Sequence, residues 1–221
     1  MLTFFKKYRF FGIVLLVLSA IIIFIIYSIL KPTPILPIFQ PANVNEALVD
    51  STIQYVKKYH TIKDFSLTNQ NGKTITQKDY EGKIYVADFF FTTCQTICPI
   101  MTDHMAKIQE KLKNDPEVLL LSHTVMPEID TVAQLKRYAI EKGVNDDKWN
   151  LVTGSKKEIY DLARKSYLAA KETPNENELV HTENFVLVDT KKRIRGFYDG
   201  TKPDAIEKLL KDIEILEKEK Q

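Results

Sequence analysis

Ile84-Tyr85-Val86-Ala87-Asp88-Phe89-Phe90-Phe91 is an almost continuous apolar run, broken by one charge at Asp88. A strand this apolar is covered on both faces, which is the property of a central strand with helices packed above and below it. Upstream, Phe65-Ser66-Leu67 and Thr74-Ile75-Thr76 flank Asn69-Gln70-Asn71-Gly72, the pattern of a hairpin. Downstream, Ile100 to Leu112 has helical spacing at Ile100, Ile108 and Leu112 and stops before Asn114-Asp115-Pro116. Val118 to Leu121 is the next buried strand. Thr131 to Lys142 is a second helix, with Val132, Leu135 and Ala139 on one face and Gly143 at its end. Leu151-Val152-Thr153 is a short strand. Ser155 to Ser166 is a helix with Ser155 as N-cap and Glu158 completing a capping box. Phe185 to Val188 and Ile194 to Tyr198 form a hairpin across Asp189-Thr190-Lys191-Lys192, and Thr201 to about Lys218 is an amphipathic helix. This alternation predicts an α/β domain, a mixed sheet flanked by helices on both faces.

Phe10 to Leu30 is 21 residues without a charge. At ~1.5 Å per residue such a helix spans roughly 30 Å, the thickness of a bilayer's hydrocarbon core. Lys6, Lys7 and Arg9 precede it and Lys31 follows, so the N-terminus stays cytoplasmic and the rest of the chain lies on the far side. The Ile-rich stretch after Ser19-Ala20 suits no signal-peptidase site, which favours an uncleaved anchor, and no Cys lies near it to carry a lipid. Pro32, Pro34, Pro37 and Pro41 predict an extended spacer. The expected organisation is a cytoplasmic end over 1–9, a transmembrane anchor over 10–30, a Pro-rich linker over 31–58 and one domain over 59–221. The chain has 31 basic and 29 acidic residues; without the three N-terminal cations the balance is 28 against 29. A near-neutral body with no basic stripe excludes nucleic acid as the natural partner.

The two cysteines, Cys94 and Cys98, follow the C-terminal end of the apolar strand, with Pro99 and a helix behind them. Chemistry gathers at that end of open α/β sheets, and a helix N-terminus stabilises thiolates. A spacing of four puts both sulfurs on one side of a helical turn, compatible with a disulfide or with chelation of one soft metal ion. A purely structural disulfide closes a loop of only ~5 residues and adds little stability, so a functional dithiol is the favoured reading. Of the four histidines, His60 reads as a solvated loop residue, His104 as a surface residue turned away from the sulfurs, and His123 as a structural histidine at a strand end. His181 stands in a polar loop just before the strand at Phe185; its position fits both an ordinary loop residue and an imidazole over the cysteines.

Phe91-Thr92-Thr93-Cys94-Gln95-Thr96-Ile97-Cys98-Pro99 resembles the TxCxxxCP signature of the Sco/SenC family of membrane-anchored copper proteins. His181-Thr182-Glu183-Asn184-Phe185-Val186-Leu187-Val188-Asp189 is similar to that family's His-containing segment, Pro127-Glu128-Ile129-Asp130-Thr131 to its DPERDT stretch, and Trp149 to Gly154 to its W-x-L-T-G stretch. The resemblance covers roughly Tyr59 to Leu210. It implies a thioredoxin-like fold and one copper ion, Cu(I) or Cu(II), held by Cys94, Cys98 and His181. It also implies a role in assembling the Cu(A) centre of cytochrome c oxidase, with the oxidase's copper-bearing subunit or another membrane-associated cuproprotein as client. Soft thiolates select Cu(I), and an imidazole lets the same set hold Cu(II). Met126 and Ile129 depart from the family stretch, replacing its first Asp and its Arg; Met126 and Met101 read as core filler.

Two functions stay open at this level. One is a copper chaperone tethered to a membrane, in a bacterial inner membrane with the domain on the extracytoplasmic side. The other is a thiol-disulfide oxidoreductase in which Cys94 attacks a client disulfide, Cys98 resolves it and a thiol reductant restores the pair. His181 discriminates them, because thiol exchange needs no imidazole. A peroxidase reading finds no Arg partner, and a non-redox binding module leaves the cysteine pair without a purpose.

Overall fold

The computed structural model describes residues 2–30, 34–171 and 180–219. They fall into two units, Met1–Pro34 and Ile35–Gln221. The first is helix α1, Leu2–Leu30, whose stretch Tyr8–Tyr27 is long and apolar enough to cross a membrane, with a mean hydropathy of 3.0. From Tyr8 to Tyr27 its side chains are exposed all round, Ser19 alone being half-buried.

The second unit is built on a seven-stranded sheet. Its strands are β1 (Ser66–Asn69), β2 (Thr74–Thr76), β3 (Ile84–Phe90), β4 (Val118–Thr124), β5 (Trp149–Thr153), β8 (Asn184–Val188) and β9 (Ile194–Asp199). They lie in the order β2-β1-β5-β4-β3-β8-β9. The centre, β5-β4-β3, is parallel, and β1 and β8 join its two sides antiparallel. All seven residues of β3 are buried, as its apolar run requires. Strands β6 (Ala170–Lys171) and β7 (Val180–His181) form a separate two-stranded ribbon, too short to leave a sequence pattern.

Helices α2 (Ile97–Lys111), α3 (Val132–Lys142) and α5 (Pro203–Glu219) bury one face with Val86, Phe90, Met105, Leu135, Leu209 and Ile213. The crossovers β3-α2-β4 and β4-α3-β5 step in one direction along the sheet, which puts both helices on one side of it. The other face packs Tyr85, Ala87, Phe89 and Leu121 against α4 (Lys156–Asp161), the wider helical turn Leu162–Ser166, and Ile62 and Phe65 from the entry segment. Sheet and helices on both faces are therefore as the sequence predicts.

Local differences have simple causes. Helix α2 starts three residues before Ile100, because Pro99 lies in its first turn, where a backbone N–H needs no partner. Ser155 caps α4 by accepting from Glu158 N at 3.2 Å, but the Glu158 carboxylate accepts from Ser66 N at 3.0 Å, so the capping box is only half made. Gly143 ends α3 at φ 67°, a backbone conformation suited to glycine. The segment read as an extended spacer is in part bound to the body: Phe39 N–H donates to Ile194 O at 2.9 Å and Val49 is buried. Lys31, Pro32 and Thr33 lie outside the described residues.

Leu120 is fully buried on the central strand β4. Leu120→Ala is expected to lower the unfolding free energy by about 2–5 kcal/mol, read as a lower urea midpoint at unchanged slope. A loss below about 1 kcal/mol would contradict this placement of the core.

Candidate metal and redox centre

Between the end of β3 and the start of α2 the chain makes a tight turn, in which Cys94 N–H donates to Phe91 O at 3.3 Å. One buried carboxyl group holds this turn. Asp130 Oδ1 accepts from Thr92 Oγ1 at 2.5 Å, and Oδ2 accepts from Thr92 N at 3.1 Å. Oδ2 also accepts from Thr124 Oγ1 at the end of β4, and Thr124 Oγ1 in turn accepts from Met126 N at 3.0 Å. Gln134 Nε2, on α3, donates to Thr92 Oγ1 at 3.0 Å. The ends of two central strands and the start of α3 are thus tied through Thr92 to the residues just before Cys94.

Both thiols are free of a disulfide; Cys94 is partly exposed and Cys98 is buried. The first-turn amide of α2 at Cys98, which has no intrahelical acceptor, donates to Cys94 Sγ at 3.5 Å, and Thr96 Oγ1 lies 3.7 Å from the same sulfur. Burial pushes Cys94 upward, but hydrogen bonds from the Cys98 thiol, from the Thr96 and Cys98 amides and from the Thr96 hydroxyl outweigh it and bring its pKa down to about 7. Cys98 moves the other way, to about 12, first by burial and then by donating its own hydrogen bond to Cys94. The pair is one ready nucleophile beside one protected thiol.

Beneath the thiols lies a carboxyl group whose role the sequence does not reveal. Asp88 is 2% exposed, and its Oδ1 has no hydrogen-bond partner. Burial raises its pKa to about 7, against a hydrogen bond from Ser122 that pulls it down. Trp149 Nε1 donates to Ser122 Oγ at 2.9 Å, which orients that hydroxyl toward Asp88. As the lone charge in an apolar strand, Asp88 is the kind of anomaly that marks such a site in a sequence.

The histidines are distributed as follows. His60 is partly buried, with Nε2 donating to Ser166 O at 2.8 Å, and burial lowers its pKa; it is not a solvated loop residue. His104 is likewise buried rather than on the surface, with Nδ1 donating to Gly200 O at 2.7 Å. His123 is structural, as expected. It stacks on Phe89 at 4.8 Å and donates from Nδ1 to Asp88 O at 3.2 Å, and burial lowers its pKa to about 4, so it is neutral. Met101 is buried and Met126 packs against the core, so both fill space.

The backbone of His181 sits on β7 opposite Ala170, and the next residue, Thr182, donates to Ala169 O at 2.9 Å. In the antiparallel register Tyr85↔Val188 and Ala87↔Val186, earlier residues of β8 lie further toward the C-terminal end of β3. The backbone at 181 therefore runs toward the end of the sheet where the thiols lie. The imidazole of His181 and the loop Glu172–Leu179 lie outside the described side chains. Among the described residues, no third His, Cys, Asp or Glu joins the thiols in a metal-sized cluster. The two sulfurs supply the soft part of a copper donor set.

A family model described as SCO1/SenC matches residues 54–216. The SCO1 protein homolog of Bacillus subtilis (strain 168) is 34% identical over 157 residues, which span 70% of this chain and 81% of that protein. Among solved structures, BsSco is a member of the Sco family of cytochrome c oxidase assembly proteins in which a disulfide switch was identified. It aligns with a TM-score of 0.61 and 34% identity over 71% of this chain and 93% of its own. The copper-bound ScoI of Arabidopsis thaliana aligns with a TM-score of 0.56 and 29% identity over 69% of this chain and 97% of its own.

Two outcomes test this electrostatic arrangement. Alkylation of the reduced protein by iodoacetamide is expected at Cys94 first, with a rate that rises through a midpoint near pH 7, while Cys98 reacts far more slowly. A midpoint near 9, or modification of Cys98 first, would contradict it. For Asp88 the folded pKa lies above its ordinary value of 3.8, so the folded state holds the extra proton. Stability is therefore lost as pH rises from about 4 to about 7, and Asp88→Asn is expected to flatten that slope in urea midpoints. Parallel curves for the two proteins would show that Asp88 titrates normally.

Proposed function

The chain belongs to the SCO1/SenC family, and on that premise we propose that it is a membrane-tethered copper-binding protein that assists assembly of the Cu(A) centre of cytochrome c oxidase. The observation that carries this reading is the dithiol at the start of α2, with Cys98 N–H directed at Cys94 Sγ. The copper-bound relative and the oxidase-assembly relative support it. Copper is the cargo, one ion, held by Cys94, Cys98 and His181. Both thiols must lose their protons to take it, so loading releases protons, and the ready thiolate of Cys94 is the natural first contact. The proposed layout is a cytoplasmic end over 1–9, an anchor over 10–30, a Pro-rich linker over 31–58, part of which packs on the body, and the copper-binding domain over 59–221. In a bacterial inner membrane the domain then lies on the extracytoplasmic side. The anchor keeps the site at high effective concentration over clients in the same membrane, the oxidase's copper-bearing subunit foremost.

The split between the two thiols favours a second use of the same pair. Cys94 thiolate attacks a client disulfide, forms a mixed disulfide and releases one client thiolate. Cys98 then gives up its proton, attacks Cys94 Sγ and releases the second client thiolate, which leaves an oxidised Cys94–Cys98 pair and a reduced client. A thiol reductant then returns the pair to the dithiol that copper requires. Reduction of the client's cysteines and delivery of the metal are thus consecutive uses of one site.

An anaerobic copper titration of the reduced chain in detergent tests the primary reading. One tight equivalent is expected, with affinity at least about tenfold weaker in His181→Ala and abolished in Cys94→Ser/Cys98→Ser. Affinity indifferent to His181, combined with rapid turnover of a disulfide substrate, would transfer the function to thiol exchange.

A further inference from the structure

The end of the sheet away from the thiols carries a feature that neither copper binding nor thiol exchange uses. A groove of about 510 Å³ opens there, with Ile38, Gln40, Lys57, Lys58, Tyr59 and Arg193 among its lining residues and no carboxylate. Arg193 is engaged by Asp189 at 2.8 Å, whereas Lys57 and Lys58 are exposed and, among the described residues, form no ion pair. The groove is therefore basic through two uncommitted ammonium groups.

Tyr59 gives it a second character. The residue is 93% exposed, and its backbone is held at φ 65°, the left-handed region that a bulky residue rarely adopts. The conformation is enforced from the C-terminal side. His60 N–H donates to Oε1 of the buried Gln40 at 2.9 Å, His60 Nε2 donates to Ser166 O at 2.8 Å, and Ile62 N–H donates to Lys192 O at 2.8 Å. A tightly fastened segment thus displays a large aromatic ring to solvent between lysines, with Ile38 beside it 42% exposed. Burial gains nothing from this arrangement, which makes the exposed ring a candidate for contact with something outside the body.

Covalent connectivity names the surface. Ile38 follows Leu30, the last residue of α1, by eight positions, a length of chain that reaches at most roughly 30 Å. Tyrosine is a residue of the membrane–water interface, lysines near a bilayer are drawn to anionic headgroups, and an exposed isoleucine has an apolar phase to enter. On the membrane tether of the proposed function, we propose that the groove around Lys57, Lys58 and Tyr59 seats the body on an anionic phospholipid surface. Lys57 and Lys58 contact lipid phosphates, and Tyr59 and Ile38 lie at the headgroup level. The β8–β9 turn carrying Arg193 lies at the N-terminal end of β3, and the thiols follow its C-terminal end. Seven strand residues at about 3.3 Å each separate the two, so docking holds the thiols roughly 20 Å clear of the lipid.

The test uses the full chain in nanodiscs of phosphatidylcholine alone or of phosphatidylcholine with phosphatidylglycerol, followed by hydrogen exchange of the peptide over residues 53–61. Several-fold slower exchange is expected in the anionic discs, reverting to the neutral-disc rate in Lys57→Glu/Lys58→Glu and in high salt. Equal exchange in both discs, or protection that survives charge reversal, would overturn the proposal. Tyr59→Trp supplies an independent readout. Its indole emission is expected to shift blue and to be quenched by brominated lipid only in anionic discs; emission of a solvated indole in both would also overturn it.

Discussion

The Asp130 carboxyl group is the constraint on which the candidate site depends. It has no exposed surface, and it accepts from Thr92 in the turn and from Thr124 at the end of β4, while the adjacent Thr131 caps α3. Cys94 sits on a turn that would otherwise be free to move, since a six-residue connection between a strand and a helix has few contacts of its own. Anchoring Thr92 through its N–H and its hydroxyl fixes where Phe91 ends and where Cys94 begins. Helix α2 then starts in register, so that the Cys98 amide meets the Cys94 sulfur. The fully buried strand β3 supplies the rigid base from which this turn leaves.

That placement divides the labour between two chemically identical side chains. Cys94 receives the hydrogen bonds that a helix start offers and remains reachable, while Cys98, on the first turn of the same helix, is taken into the apolar layer with Met101, Phe90 and Leu209. Burial alone raises a thiol's pKa, and donors alone lower it; a spacing of four residues across a strand-to-helix junction gives each effect to a different sulfur. A site of this kind holds one sulfur ready and the other in reserve, which suits both a staged loss of protons as a soft metal ion binds and resolution of a mixed disulfide.

Much of this was legible in the residues. The apolar run of β3, the 3.6-residue spacing of α3 and α5, and the Cys94–Cys98 pair before Pro99 each carry a local signal, because each follows from a periodicity or from a helix end. Where reading failed, the deciding partner was distant in sequence. His60 and His104 look solvated until Ser166 and Gly200, 106 and 96 residues away, accept their ring protons. Glu158 looks like half of a capping box until Ser66 claims it. The β6–β7 ribbon has two residues per strand, too few for any alternation to register. Asp88 passes in the sequence as one charge in an apolar run, and its meaning needs Ser122 and Trp149 from two other strands.

Under the proposed function, Cys94, Cys98 and His181 together hold one copper ion. X-ray absorption at the copper edge, on the full chain loaded with one equivalent, tests it most directly because it counts the donor atoms themselves. Two sulfur scatterers and one imidazole are predicted, with the imidazole signal lost in His181→Ala while both sulfurs remain. A copper shell with a single sulfur, or an imidazole signal unchanged in that variant, would contradict the assignment.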